Sequence, residues 1–180
     1  MKLSHFTAAV TLSLCASAAV AAPQVYLNKN LGFNVEGYKY DQAEFPCDID
    51  NVLIKSLTKR SKSAGIEMEV VSTVDKISNG VIPVLAIDIE QLVLNEKFRF
   101  GAKSSSNLPR VQVTAALITG TGKDGVVTAK HSCAIATLNE FTPSSNVMDL
   151  GTVATVCSAT RKCLNDLSKD IVQWVAPQLK

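Results

Sequence analysis

Residues 82–94 read Ile82-Pro83-Val84-Leu85-Ala86-Ile87-Asp88-Ile89-Glu90-Gln91-Leu92-Val93-Leu94, a long run with a two-residue period. Leu85, Ile87, Ile89 and Val93 fall on one side of an extended backbone, and Asp88 and Glu90 on the other. Successive strand side chains point to opposite faces, so this pattern predicts a strand with one packed and one wet face. The same alternation recurs on both sides of it. Residues 66–74 set Ile66, Met68 and Val70 against Glu67 and Glu69, and Ser78-Asn79-Gly80 then signals a turn. Residues 110–119 set Val111, Val113, Ala115 and Leu117 against Arg110, Gln112 and Thr114, and residues 126–138 form a fourth run carrying His131 and Cys133. Four strands that are each half apolar favour an antiparallel sheet with one solvated face.

Helical spacing brackets the strands. Pro46-Cys47-Asp48 announces a helix that Asp48 or Asp50 can cap, with Ile49, Val52, Leu53 and Leu57 as its buried stripe. Lys55, Lys59 and Lys62 lie on another face, and Gly65 ends the helix in a left-handed turn. At the other end, Asp149 or Thr152 can start a helix. Its apolar positions are Val153, Val156, Leu164, Leu167, Ile171, Trp174 and Val175, with Lys162, Asp166, Lys169 and Asp170 on the surface, up to Ala176-Pro177. Residues 24–40 predict one or two short strands forming an edge ribbon. The expected fold is therefore α+β, a two-layer sandwich of a mainly antiparallel four- to five-stranded sheet with two helices on one face. No internal repeat occurs, and the serine patch at residues 104–106 reads as loop.

The first twenty-odd residues set the expected compartment. Lys2, an apolar core over residues 6–15 and small residues from Ala16 to Ala22 have the layout of a secretory signal peptide, too short in its apolar part for a membrane span. Cleavage after Ala21 is favoured, since cleavage after Ala22 would set Pro23 beside the scissile bond. That divides the chain into a signal peptide, 1–21, and a single exported domain, 22–180. A lipidation box at Leu12-Ser13-Leu14-Cys15 is the rival reading, disfavoured by the bulky Leu14. No later segment is apolar enough for a transmembrane helix, so a soluble periplasmic or secreted protein is expected. The roughly 160 residues that remain suit one domain with its own core. A net charge of +2 offers no field for nucleic acid or anionic membrane.

With Cys15 removed, Cys47, Cys133, Cys157 and Cys163 are left, an even number in an exported chain, which predicts two disulfides worth ~2–4 kcal/mol each. Three connectivities are open. A zinc site is the alternative, weakened by the lack of any C-x2-C pair and by a single mature histidine, His131. No metal and no cofactor is expected.

The order of edge ribbon, helix, four strands and helix behind an export signal resembles small envelope domains of the anticodon-binding-domain-like α/β sandwich type. Examples are the N-terminal domain of the translocation protein TolB, penicillin-binding-protein activator lipoproteins and auxiliary proteins of envelope transporters. The resemblance implies a binding or accessory role in the bacterial envelope and carries no functional residue with it. A cystatin-like or nuclear-transport-factor-like curved sheet has a similar order.

Few residues carry chemistry. Gly120-Thr121-Gly122-Lys123-Asp124-Gly125 matches G-x-G-x-x-G, but a strand pattern follows it where a dinucleotide site needs a helix, so a hairpin turn is expected. His131 is the one histidine available for a nucleophilic mechanism, it shares a strand face with Cys133, and no G-x-S-x-G is present. Asp88 with Glu90, and Glu67 with Glu69, could form acid–base pairs, or simply face solvent opposite Arg110 or Lys130. Binding is the better expectation. The segment 95–109 is read as a loop holding Phe98, Arg99 and Phe100, exposed aromatics beside basic residues as at protein interfaces. The Lys55, Lys59 and Lys62 stripe offers a second surface, for an anionic partner. The sequence thus predicts a non-enzymatic exported protein that binds another envelope protein. A carrier of a small apolar ligand is the alternative, and a hydrolase centred on His131 comes third.

Overall fold

The ten-residue strand over residues 84–93 is the axis of the sheet. In the computed structural model the described residues are 22–33, 46–93, 99–101, 110–120, 125–134 and 153–179. Their elements run β1 (Gln24–Asn28), β2 (Gly32–Phe33), α1 (Ile49–Ser63), β3 (Glu67–Val71), α2 (Val74–Ile77), β4 (Val84–Val93), β5 (Arg99–Gly101), β6 (Arg110–Ile118), β7 (Val126–Ala134) and α3 (Val153–Val175). Short 3-10 turns precede α1 (Pro46–Asp48) and follow α3 (Ala176–Leu179).

The main path of the sheet is β3-β1-β4-β6-β7. β4, β6 and β7 form an antiparallel meander, with Ile87 opposite Ala115 and Ala115 opposite Ala129. The other edge of β4 is shared by three segments in turn: β1 at Val84–Leu85, β2 at Asp88–Ile89 and β5 at Gln91–Val93. The five-strand path and the mainly antiparallel pairing match the expectation.

Two details differ from it. β1 is an inner strand rather than an edge ribbon, running parallel to both β3 and β4. Parallel neighbours need a long crossover, and α1, which lies between β1 and β3 in the chain, is that crossover. Val25 and Leu27 of β1 are accordingly fully buried. The second difference is at Val70, which is 38% exposed while Val71 is buried. β3 is the end of the sheet's main path and pairs with β1 alone among the described residues.

The core lies between the sheet and the two long helices. α1 packs on β3 and α3, and α3 packs on β6 and β7. Leu53 and Leu57 of α1 and Leu164, Leu167 and Ile171 of α3 are buried against Leu85, Ile87, Ile89, Val113 and Leu117. Between the helices Ser56 Oγ donates to Asn165 Oδ1 at 2.7 Å. Gly65 takes φ +72°, the left-handed stop predicted for α1. Of the two capping candidates, Asp48 makes no cap: it has left-handed backbone and no side-chain bond to a helix amide.

The turn before β4 is held by one side chain. Asn79 Oδ1 accepts from the amides of Val81 (2.8 Å) and Ile82 (2.5 Å), and its Nδ2 donates to the Lys76 carbonyl (2.6 Å). Between β6 and β7 the Thr119 amide donates to the Gly125 carbonyl at 2.7 Å. The glycine pattern at 120–125 therefore joins two antiparallel strands, with no helix opening beyond it.

Candidate functional site

The sheet presents a polar group on the face away from α1 and α3, and its geometry follows from a β-bulge. Ile89 pairs with Val113 and Gln91 with Gln112, which leaves Glu90 without a counterpart. An extra residue reverses the alternation beyond it. Leu92 therefore faces the core, fully buried, where strict alternation assigns Val93. The Val93 side chain lies outside the described residues.

The bulge aims the Glu90 carboxylate at three donors. Gln112 Nε2 and Lys130 Nζ each donate to Oε2 at 3.0 Å, and Thr114 Oγ donates to Oε1. The Thr114 hydroxyl chiefly holds the Glu90 pKa below the ordinary glutamate range, against an opposing effect of burial, with Lys130 and Gln112 adding to the lowering. Asp88, on the same face, shifts the other way, raised first by burial and then by the negative charge of Glu90. The pKa values of these two neighbouring carboxyls are thus displaced in opposite directions. Of the two cross-strand partners suggested by the sequence, Arg110 and Lys130, Lys130 bonds Glu90. Glu69 is occupied too, by Lys76 Nζ at 2.5 Å. Beside Asp88 runs Gly32 of β2, and a β-carbon there would sit 1.7 Å from Asp88 Oδ1.

His131 lies on the opposite face, between β7 and α3, and is only 5% exposed. Its Nδ1 is 2.6 Å from Asp170 Oδ2. An ionised carboxylate can only accept, so the ring proton belongs on Nδ1. The ring meets Trp174 edge-on, with centroids 5.5 Å apart. Nε2 is buried without a hydrogen-bond partner. Sequence alone singles out His131 but not its partners. Asp170 falls seven residues after Cys163, hence on the same side of α3, and that spacing was the available signal.

The disulfides resolve the open connectivity. Cys47 bonds Cys157, and Cys133 bonds Cys163. Both therefore hold α3, the first to the turn before α1 and the second to β7. His131 and Cys133 do share a strand face, but the sulfur is oxidised and the imidazole has a carboxylate, so no thiol–imidazole pair exists there.

The predicted binding residues fall into separate neighbourhoods. Phe98 lies outside the described residues. Arg99 and Phe100 lie within β5, opposite Val93 and Leu92 of β4, so this part of the expected loop is strand; their side chains lie outside the described part. A backbone ladder with β4 accounts for the difference. Lys55, Lys59 and Lys62 are all exposed on α1, and α1 packs on β3 and α3 rather than near β5. Among the described residues no group of three or more His, Cys, Asp or Glu side chains is arranged to hold a metal ion. No described helix is long and apolar enough to cross a membrane.

No protein-family model matches the chain. No curated protein matches it either. Among solved structures it is similar to a Xanthomonas campestris protein of the DUF330 family model, at TM-score 0.47 and 18% identity, over 88% of this chain and 90% of that one. It is similar to a PelC variant from Paraburkholderia phytofirmans, crystallised as a dodecamer, at TM-score 0.41 and 14% identity, over 83% and 89%. It is also similar to rare lipoprotein B from Shewanella oneidensis, at TM-score 0.34 and 10% identity, over 86% and 95%.

Proposed function

We propose that this chain is an exported, non-enzymatic protein of the bacterial envelope that acts by binding another envelope protein through the surface around β5. The observation that carries the binding surface is the pairing of Val93, Leu92 and Gln91 with Arg99, Phe100 and Gly101. It seats one end of the basic-aromatic run Lys97-Phe98-Arg99-Phe100 on the rigid sheet, which lowers the cost of ordering that run when a partner binds. Export is supported by the signal-like residues 1–21 and by two disulfides, which persist in oxidising compartments. The finer resemblance to the TolB N-terminal domain and the activator lipoproteins rests on element order, and an accessory role is the reading it suggests. The polar groups support a non-enzymatic reading. Both oxygens of Glu90 are engaged by cross-strand donors, and Nδ1 of His131 is engaged by Asp170, as bracing groups would be.

The test is photo-cross-linking in intact envelopes with a photoreactive residue at position 98 and a control at Lys169, which is exposed on α3. One protein band specific to position 98, weakened by Phe100→Ala, is expected. Identical bands at both positions, or none at either, would reject the β5 surface.

A further inference from the structure

Cys47 and Asp48 are consecutive residues in the left-handed region, at φ 66°, ψ 14° and φ 55°, ψ 39°. They are the only non-glycine residues with positive φ among those described. An L-residue is crowded there by its own β-carbon, and two in succession persist only if the surroundings impose them. The imposing contact is covalent: Cys47 is bonded to Cys157, 110 residues away, with Cα atoms 5.1 Å apart. The same backbone forfeits a helix cap. Asp48 immediately precedes α1, where an extended aspartate would accept from an amide of the first turn. Its Oδ1 instead accepts from Asn51 Nδ2 at 2.6 Å, and Asp48 makes no side-chain bond to a helix amide.

The two disulfides also differ in access. Cys163 is 4% exposed within the core, so the Cys133–Cys163 bond is shielded on one side. Cys47 and Cys157 are both only half-buried, as is Cys133, so the difference in access lies at Cys163. Exposed bonds that hold strained backbone are the more easily reduced.

We propose that Cys47–Cys157 is a reducible latch. A dithiol opens it while Cys133–Cys163 stays closed, and Asp48 then relaxes to extended backbone and caps α1. One thiolate of the dithiol attacks a sulfur of the bond and forms a mixed disulfide, and its second thiol displaces the protein sulfur. Two electrons pass to the protein, Cys47 and Cys157 become thiols, and the dithiol leaves as a cyclic disulfide. The start of α1 thereby reports redox state while β7 remains bonded to α3.

The protein lacking residues 1–21 is equilibrated with graded ratios of reduced to oxidised dithiothreitol, quenched in acid, alkylated and mapped by peptide mass. Cys47 and Cys157 are expected to be alkylated over a range of ratios in which Cys133 and Cys163 remain blocked. Simultaneous opening, or opening of Cys133–Cys163 first, would overturn the proposal. In Asp48→Gly the left-handed position is free of strain, so the Cys47–Cys157 midpoint is expected to require about tenfold more reduced dithiol. Cys133–Cys163 in the same sample is the internal reference, and an unmoved midpoint would refute the strained turn. The cap is read separately. Asp48→Ala is expected to lower Tm more in a Cys47→Ser/Cys157→Ser background, where it removes the cap, than in the bonded protein, where it removes only the bond from Asn51. An equal effect in both would refute the switch of Asp48 into the cap.

Discussion

Asp170 Oδ2 lies 2.6 Å from His131 Nδ1, so an exposed helix carboxylate reaches into the β7–α3 seam to satisfy a buried ring. The two residues differ sharply in environment, 62% against 5% side-chain exposure. Removing the exposed partner therefore strands the buried one. Asp170→Ala is expected to cost about 1–3 kcal/mol, the usual penalty for an unsatisfied buried donor. Asp170→Asn, which keeps an acceptor oxygen, should lose less. Urea denaturation of the two variants measures the difference.

Gly32 is required by contact rather than by backbone angle. A β-carbon at 1.7 Å from Asp88 Oδ1 cannot be accommodated without moving β2 or Asp88. Gly32→Ala is expected to destabilise by about 1–3 kcal/mol, as overpacked sites do. Asp88→Ala in the same chain should recover most of that loss. A double variant no more stable than Gly32→Ala alone would place the strain elsewhere.

Glu90 and Asp88 predict opposite pH effects. The folded pKa of Glu90 lies below its ordinary 4.5, so its stabilisation is present above that value and is lost as pH falls through the folded one. Asp88 is raised above 3.8, so it contributes stability below that value and loses it as pH rises through the folded one. Glu90→Gln should therefore be less stable than the parent near neutral pH, and Asp88→Asn more stable. Both differences should shrink at about pH 3, and each should stay under ~1 kcal/mol for groups this close to solvent. Denaturant midpoints across that pH range test the signs.

The bulge at Glu90 puts Leu92 in the core, fully buried. Leu92→Ala is expected to cost about 2–5 kcal/mol, within the range for large-to-small changes in a packed interior. A loss well under 1 kcal/mol in a thermal or urea melt would mean that the strand does not change phase there.

Much of the fold could be read locally. Leu85, Ile87 and Ile89 were assignable to the buried face because side-chain direction in a strand depends only on neighbouring residues. Leu53, Leu57, Leu164, Leu167 and Ile171 were assignable for the same reason at helical spacing. The phase of Leu92 was not, because a bulge exists only relative to a partner strand, and only the pairing with Gln112 and Val113 reveals it. The candidate sites were less legible. Asp88, Glu90, Lys130 and His131 stood out by type, but Gln112, Thr114, Asp170 and Gly32 acquire their roles from contacts across the sheet or between layers.

The chain by itself determined the α+β class, the elements that build the packed core, and four cysteines left to pair beyond Cys15, since periodicity and composition need no knowledge of distant neighbours. Tertiary structure decided the rest. β1 became an inner parallel strand because α1 returns the chain beside it. Cys47 took Cys157 and Cys133 took Cys163 because α3 passes both the turn before α1 and β7. Asp48, a good cap by sequence, lost that role because a disulfide to a residue 110 positions away holds its neighbour in left-handed backbone. Long-range closure can override a local preference worth only about 1 kcal/mol, and no local pattern records it.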